Sequence, residues 1–327
     1  MKRIRGPRVG AAVAVVILAA AGAPAQKGKP LERAFQAQAE LYAPAPGYSE
    51  GPTWRSGSVF FCSGPLLRIT SGRQVRKYLD IGPAGTYLLR DGRMLVCDNK
   101  NHALLLLWPN GRVGVLADRF EGKPLRILND LTVDRAGNVY WTDPNSGDPR
   151  TPDGNVFRLT PSGRVDRIAT GRAYPNGIEV DPEGRYLYLI ESSSKNVLRY
   201  EAPPSDRPLG EATVFYTLKT GGDGCAFDAD GNFWVTDYSG GEIAVLSPEG
   251  RYLGGVKIPA KAISNLTFGG KKRDTLFVTT GAPDGVFRVP VGVRGFRLHP
   301  GAKKYPVSRY LDLKPLDEPL PEGKPAP

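Results

Sequence analysis

Four residues in this chain sit at equivalent places of a recurring pattern and all carry side-chain oxygen. Asn129, Asn176 and Asp223 each lie eight residues before a turn glycine (Gly137, Gly184 and Gly231), and Glu50 lies seven before Gly57, where the turn is one residue shorter. The same count reaches Ala84, which has no ligating group, and Ser264 or Asn265 in the last unit, where the turn is longer. Two carboxylates and two amide carbonyls converging on one point form a site for a hard cation. Ca²⁺ suits them, because it takes six to eight oxygens in loose geometry, and another divalent cation is possible. Zinc would need nitrogen or sulfur, and the only histidines are His102 and His299. Cys62, Cys97 and Cys225 have no C-x-x-C spacing and lie in or beside apolar strand-like runs, so they read as buried thiols.

The elements that must position these residues recur six times. Apolar segments follow D-x-x-G type turns at GSVFFCS (57–63), GRMLVCD (92–98), GNVYWTD (137–143), GRYLYLIE (184–191), GNFWVTD (231–237) and RDTLFVTT (273–280). Their ends are 35, 45, 48, 46 and 43 residues apart, a period that marks propeller blades. Third strands follow, among them ALLLLW (103–108) and EIAVLS (242–247). The runs are short, β-branched and aromatic, without helical periodicity. The expected fold is all-β: a six-bladed β-propeller with four-stranded blades, whose inner strands open at Glu50, Asn129, Asn176 and Asp223 around a central channel.

The ends of the chain read differently. Lys2, Arg3, Arg5 and Arg8 precede an apolar run of about 15 residues and an Ala23-Pro24-Ala25 cleavage pattern. Residues 1–25 are therefore expected to be a signal peptide, and the protein to be exported, periplasmic or secreted. Residues 26–44 form a lead-in, 45–299 the propeller and 300–327 a Pro-rich tail. Residues near Gln36 to Ala43 are candidates for the strand that closes blade six. Net charge is +11 for the whole chain and +7 without the four basic leader residues. Lys and Arg are scattered rather than striped with aromatics, which argues against nucleic acid as a partner. No further apolar run follows, so no membrane association is expected after leader removal. The pattern sets no oligomeric state.

The segments SEGPTW (49–54), LNDLTVD (128–134), YPNGIEVD (174–181), GGDGCAFDADGNFWVTD (221–237) and SNLTFGG (264–270) resemble the blade motifs of the gluconolactonase/regucalcin-like lactonases. The resemblance implies a six-bladed propeller, a divalent metal (usually calcium) and hydrolysis of a sugar or other lactone. It assigns the metal ligands to Glu50, Asn129, Asn176 and Asp223, and the catalytic base to Asp223. In that chemistry the metal polarises the lactone carbonyl, and Asp223 takes a proton from the attacking water. Arg126, Tyr87 and Tyr174 are candidate substrate-binding residues on the same face. The chain departs from the family in GTYLLRDG (85–92) and LRILND (125–130), both expected at the pocket mouth. The loop PNSGDPRTPDG (144–154) is a candidate lid, and Asp143 and Asp237 are expected to cap strand ends. No G-x-S-x-G elbow is present, which disfavours a serine-hydrolase route. Alternatives on the same scaffold are an aryl-ester or phosphotriester hydrolase and a non-catalytic, calcium-stabilised binding propeller.

Overall fold

The computed structural model describes residues 30–146, 148–202 and 207–320. The expected leader, residues 1–25, lies outside these.

Each repeat folds as an antiparallel sheet, and six sheets form a ring. Blade one comprises Glu50–Arg55, Ser58–Cys62, Leu66–Ile69 and Val75–Leu79; blade two Pro83–Leu88, Met94–Asp98, Ala103–Leu107 and Val113–Ala117. Blade three runs Leu131–Val133, Val139–Asp143, Gly154–Leu159 and Val165–Arg172; blade four Pro175–Val180, Tyr186–Glu191, Asn196–Glu201 and Thr213–Thr217. Blade five is Gly222–Phe227, Phe233–Asp237, Glu242–Leu246 and Tyr252–Lys257. Blade six takes its inner three strands, Ala262–Gly269, Thr275–Gly281 and Gly285–Val289, from the end of the repeat, and its outer strand, Glu40–Pro44, from the lead-in. The ring is thus closed by a strand from the opposite end of the propeller sequence, so that opening it means breaking a sheet.

Within the tail, the described residues 300–320 run along the rim. Arg309–Leu311 pairs with the outer strand of blade two and Glu318–Pro319 with that of blade one. Among the described residues one short helix, Pro30–Phe35, packs on the outer strand of blade five, where Gly254 leaves room for the Phe35 ring.

Burial follows from the blade geometry. The apolar side chains gather into six clusters, each filling the interface between two neighbouring blades. This is why the second and third strands are apolar on both faces: Met94–Asp98, Ala103–Leu107 and Glu242–Leu246 are buried at every position. A sheet covered on both sides loses the polar alternation of a half-exposed one. The three cysteines are buried free thiols.

Candidate metal centre

The inner strands all begin at one end of the channel, here called the mouth, and the second strands end there. Glu50 pairs with Cys62, Pro83 with Asp98, Pro175 with Glu191 and Gly222 with Asp237. Each of these inner strands carries a register shift just after its first pair, between Glu50 and Thr53, Pro83 and Thr86, Pro175 and Ile178, and Gly222 and Cys225. A bulge re-aims the side chain beside it, and here it turns the first residues of each strand onto the channel axis.

The last residue of the second strand holds the loop that delivers the inner strand. Asp98 accepts the Gly82 amide at 2.7 Å, Glu191 the Ala173 amide at 3.1 Å and Asp237 the Thr220 amide at 2.9 Å. Asp143 accepts the Asn145 amide at 2.7 Å and is likewise bonded to the Ile127 backbone. These acids are loop anchors, as expected for Asp143 and Asp237. In blades one, three and five the residue before this position, which Ser63 holds in blade one, bonds across to the next blade. Cys62 Sγ donates to Ala84 O (2.8 Å), Thr142 Oγ1 to Asn176 O (2.7 Å) and Thr236 Oγ1 to Ser264 O (3.4 Å). So Thr142 fixes the backbone of Asn176 from outside the channel.

A cavity of about 370 Å³ at the mouth is lined by Glu50, Asn129, Asn176 and Asp223 together with Tyr48, Tyr174, Ser192, Thr220 and Tyr238. The sequence count therefore brings its four oxygen-bearing residues to one place. In blade six the equivalent residue is Ser264, whose hydroxyl is spent on Ser49 O at 2.6 Å. The Asn265 amide lies just below and bonds Glu50.

Glu50 and Asp223 lie within hydrogen-bonding reach of each other. Burial pushes both carboxyls above the usual carboxylate range, and the Glu50 charge adds to the rise at Asp223. No Lys or Arg lines the cavity to compensate them. The Gly51 amide donates to Glu50 Oε2 at 2.9 Å, and Tyr48 Oη reaches Glu50 Oε1 at 3.2 Å and Asp223 Oδ2 at 3.4 Å. Asn176 donates Nδ2 to Ser192 Oγ at 3.1 Å, which turns its Oδ1 inward; that oxygen is buried with no hydrogen-bond donor. A buried amide oxygen without a donor costs about 1–3 kcal/mol. An orphaned carbonyl beside two uncompensated carboxyls fits a hard cation such as Ca²⁺. Among the described residues no three His, Cys, Asp or Glu side chains cluster, so such a site would depend on the two asparagine carbonyls.

Below the mouth the strands approach so closely that side chains do not fit. A Cβ on Gly51 would lie 2.1 Å from Ala84 O, one on Gly177 2.1 Å from Asp223 O, and one on Gly224 2.1 Å from Asn265 Oδ1. The E-G-P, P-N-G and D-G glycines thus form a backbone collar beneath the ligating oxygens. A Gly177→Ala variant is expected to push Asp223 off position, weakening calcium binding at least tenfold and costing about 1–3 kcal/mol of stability by overpacking. Calcium calorimetry and urea unfolding of the variant check this, and unchanged affinity would show that the collar does not set the site.

Not every candidate falls at the mouth. Tyr174 does, with positive φ and its ring lining the cavity. Tyr87 does not. It lies three residues beyond Ala84 on an inner strand that rises about 3.3 Å per residue, and its hydroxyl points to His299 O, 3.5 Å away, in the lower channel. For the same reason the departure at residues 85–92 faces away from the mouth. Arg126 is exposed and outside the cavity lining, its charge near Asp143. Tyr48 and Tyr238 line the mouth instead. Both sit beside motif residues already singled out, Tyr48 two before Glu50 and Tyr238 directly after Asp237, which is the signal that could have found them.

A closed ring of six four-stranded blades with an oxygen-lined mouth defines the class: a propeller with a hard-cation pocket at one end of its channel. The chain belongs to the SMP-30/Gluconolactonase/LRE-like family, whose model matches residues 48–282. It is similar to the gluconolactonase of Zymomonas mobilis, 28% identical over 272 residues, spanning 71% of this chain and 76% of that protein. It is 30% identical over 256 residues to the pentonolactonase XacC of Haloferax volcanii, spanning 72% of this chain and 82% of that protein. Among solved structures, a gluconolactonase from Xanthomonas campestris superposes with a TM-score of 0.68 at 26% identity, covering 78% of this chain and 89% of that one.

Proposed function

We propose that the protein is a Ca²⁺-dependent lactonase acting on a sugar lactone at the mouth. The observation that carries this reading is the buried, donorless Asn176 Oδ1 beside the Glu50–Asp223 pair, in a cavity without a basic side chain. The lactonase relatives supply the reaction class. Glu50, Asn129, Asn176 and Asp223 would hold the ion, which when bound supplies Lewis acidity toward the lactone carbonyl.

The chain's own groups do the rest. Asp223 takes the proton from water attacking the ring carbonyl. A carboxylate that also holds a dication is a weak base; burial and the neighbouring Glu50, which raise the Asp223 carboxyl in the metal-free protein, work against that lowering. Tyr48 Oη, already within reach of both carboxyls, orients that water or a lactone oxygen. Tyr174 and Tyr238 offer ring faces on which a sugar stacks. Lactones are activated esters, so this modest base suffices.

The test is lactone hydrolysis by pH-stat on protein stripped with a chelator and then restored with calcium. Activity should vanish and return. Turnover unaffected by complete metal removal would defeat the reading. Screening aryl esters and phosphotriesters alongside separates the related hydrolases, and absence of all turnover would favour a binding propeller.

A further inference from the structure

The opposite end of the channel holds a second cavity, of about 360 Å³, that shares no lining residue with the mouth. Its lower rim is basic. Arg55 ends the inner strand of blade one, and Arg90 and Arg273 come from the turns between inner and second strands in blades two and six, so that the three lie on consecutive blades of the ring. Arg297 comes from the segment that leaves blade six and crosses beneath the channel, tied to blade five by Phe296 N to Phe227 O (2.9 Å) and to blade two by Arg90 Nε to Leu298 O (2.6 Å).

The matching turns of blades three, four and five carry Asp134, Asp181 and Asp228, and each accepts an amide of its own turn, at 2.9, 2.6 and 2.8 Å. The acids on that half are therefore committed. On the other half Arg90 is bonded to Leu298 O and Arg297 O, but the remaining arginines are not committed. Among the described residues Arg55, Arg273 and Arg297 have no side-chain hydrogen-bond or ion-pair partner, Arg55 lying over the Phe60 ring at 5.6 Å, and Arg55 Nη1 and Arg273 Nη1 are buried without an acceptor. Arg90, Arg294 and Arg297 surround Arg273 with like charge. The carboxyls that line this cavity, Asp130 and Glu179, belong to inner strands nearer the collar and pair with none of these arginines. Phe227, Phe268, Phe296 and Leu298 supply an apolar wall.

Two buried guanidinium nitrogens without an acceptor, on arginines that line one cavity, are a costly arrangement in the empty protein. An oxyanion relieves it, because guanidinium forks match carboxylate and phosphate geometry. We propose that the lower end of the channel is a second binding site, for a small organic oxyanion bearing a carboxylate or phosphate head group on an apolar body. Arg55 and Arg273 bond the head group, Arg90 and Arg297 attract it from the rim, and the phenylalanine wall covers the body.

Calorimetric titration of the full chain with phenyl phosphate, benzoate and neutral benzyl alcohol tests this. One equivalent of phenyl phosphate or benzoate should bind, the stronger of the two identifying the head group. Affinity should fall with added salt, and benzyl alcohol should bind at least tenfold more weakly. Arg55→Gln and Arg273→Gln should each weaken binding ten- to a hundredfold, whereas Asp223→Ala should leave it unchanged, which places the ligand away from the mouth. Wild-type protein that binds neither anion at millimolar concentration overturns the proposal without any variant. So does benzyl alcohol binding as tightly as the anions, or anion binding undiminished in both folded glutamine variants.

Discussion

An Asp223→Ala variant is expected to lose lactone hydrolysis outright, while Asn176→Ala binds calcium more weakly yet turns over at high calcium. The asymmetry follows from what each side chain is placed to do. Asp223 is buried against Glu50 and within reach of Tyr48 Oη, so it is placed both to hold a cation and to accept the proton from water. A positioned base alone contributes roughly 10²- to 10⁴-fold in rate, and removing this one also leaves a single carboxylate facing the dication. Asn176 contributes one neutral carbonyl, held in place by Ser192 through its amide and by Thr142 through its backbone. Its loss lowers affinity without removing the proton acceptor. Calcium calorimetry beside pH-stat rates for wild type and both variants measures the difference. Normal rates in Asp223→Ala would remove the base from the mechanism. Loss of thermal stability in both variants, with no hydrolysis by wild type, would make the ion structural.

Glu179→Gln is expected to flatten the dependence of stability on pH. Glu179 lies in the channel wall with Thr132 Oγ1 and the Val180 amide as its donors, and burial pushes its carboxyl up to about 8. In the unfolded chain a glutamate titrates at about 4.3. Between these values the unfolded state gives up its proton and the native state keeps it. Stability due to this group is therefore fully present below the unfolded value and is lost as pH rises toward 8, at about 1.4 kcal/mol per unit. Asp130, raised to about 7 by burial, adds a slope of the same sign. Glutamine keeps the acceptor oxygen for Thr132 and has no charge to bury. The variant should match wild type near pH 5 and exceed it by about 2–4 kcal/mol near pH 8. Urea unfolding at pH 5, 6.5 and 8 in the presence of chelator reads this directly, and parallel curves for the two proteins would show that Glu179 does not carry the slope.

Much of this site could be located without coordinates because a propeller repeats. The turn glycines hold one register in every blade, so counting back from Gly137, Gly184 and Gly231 lands on residues that line one mouth. The second strands were equally plain, since burial on both faces makes them continuously apolar. What escaped was whatever does not repeat. Tyr87, expected on a loop at the mouth, lies instead on the inner strand three residues past Ala84, and three residues along a strand is about 10 Å. Tyr48 sits on a loop whose approach to Asp223 depends on ring closure, a contact 175 residues apart in sequence. The arginines of the lower end are scattered over a strand end, two turns and the crossing segment, and no linear pattern gathers them. The tail, too, reads only as Pro-rich, because its pairing rests on two- and three-residue strands.

The glycine collar divides the channel like a bulkhead. Because two of its three contacts are main chain on main chain, and only the Asn265 side chain spans it to reach Glu50, a change on one side has few means of passing to the other. Substitutions that reshape the mouth, altering which lactone it favours, would leave the arginine end as it was, and the reverse holds equally. The two ends can therefore drift separately under selection, as if on different proteins. For engineering, the arginine end is a place to attach a probe or an immobilising ligand without blocking catalysis.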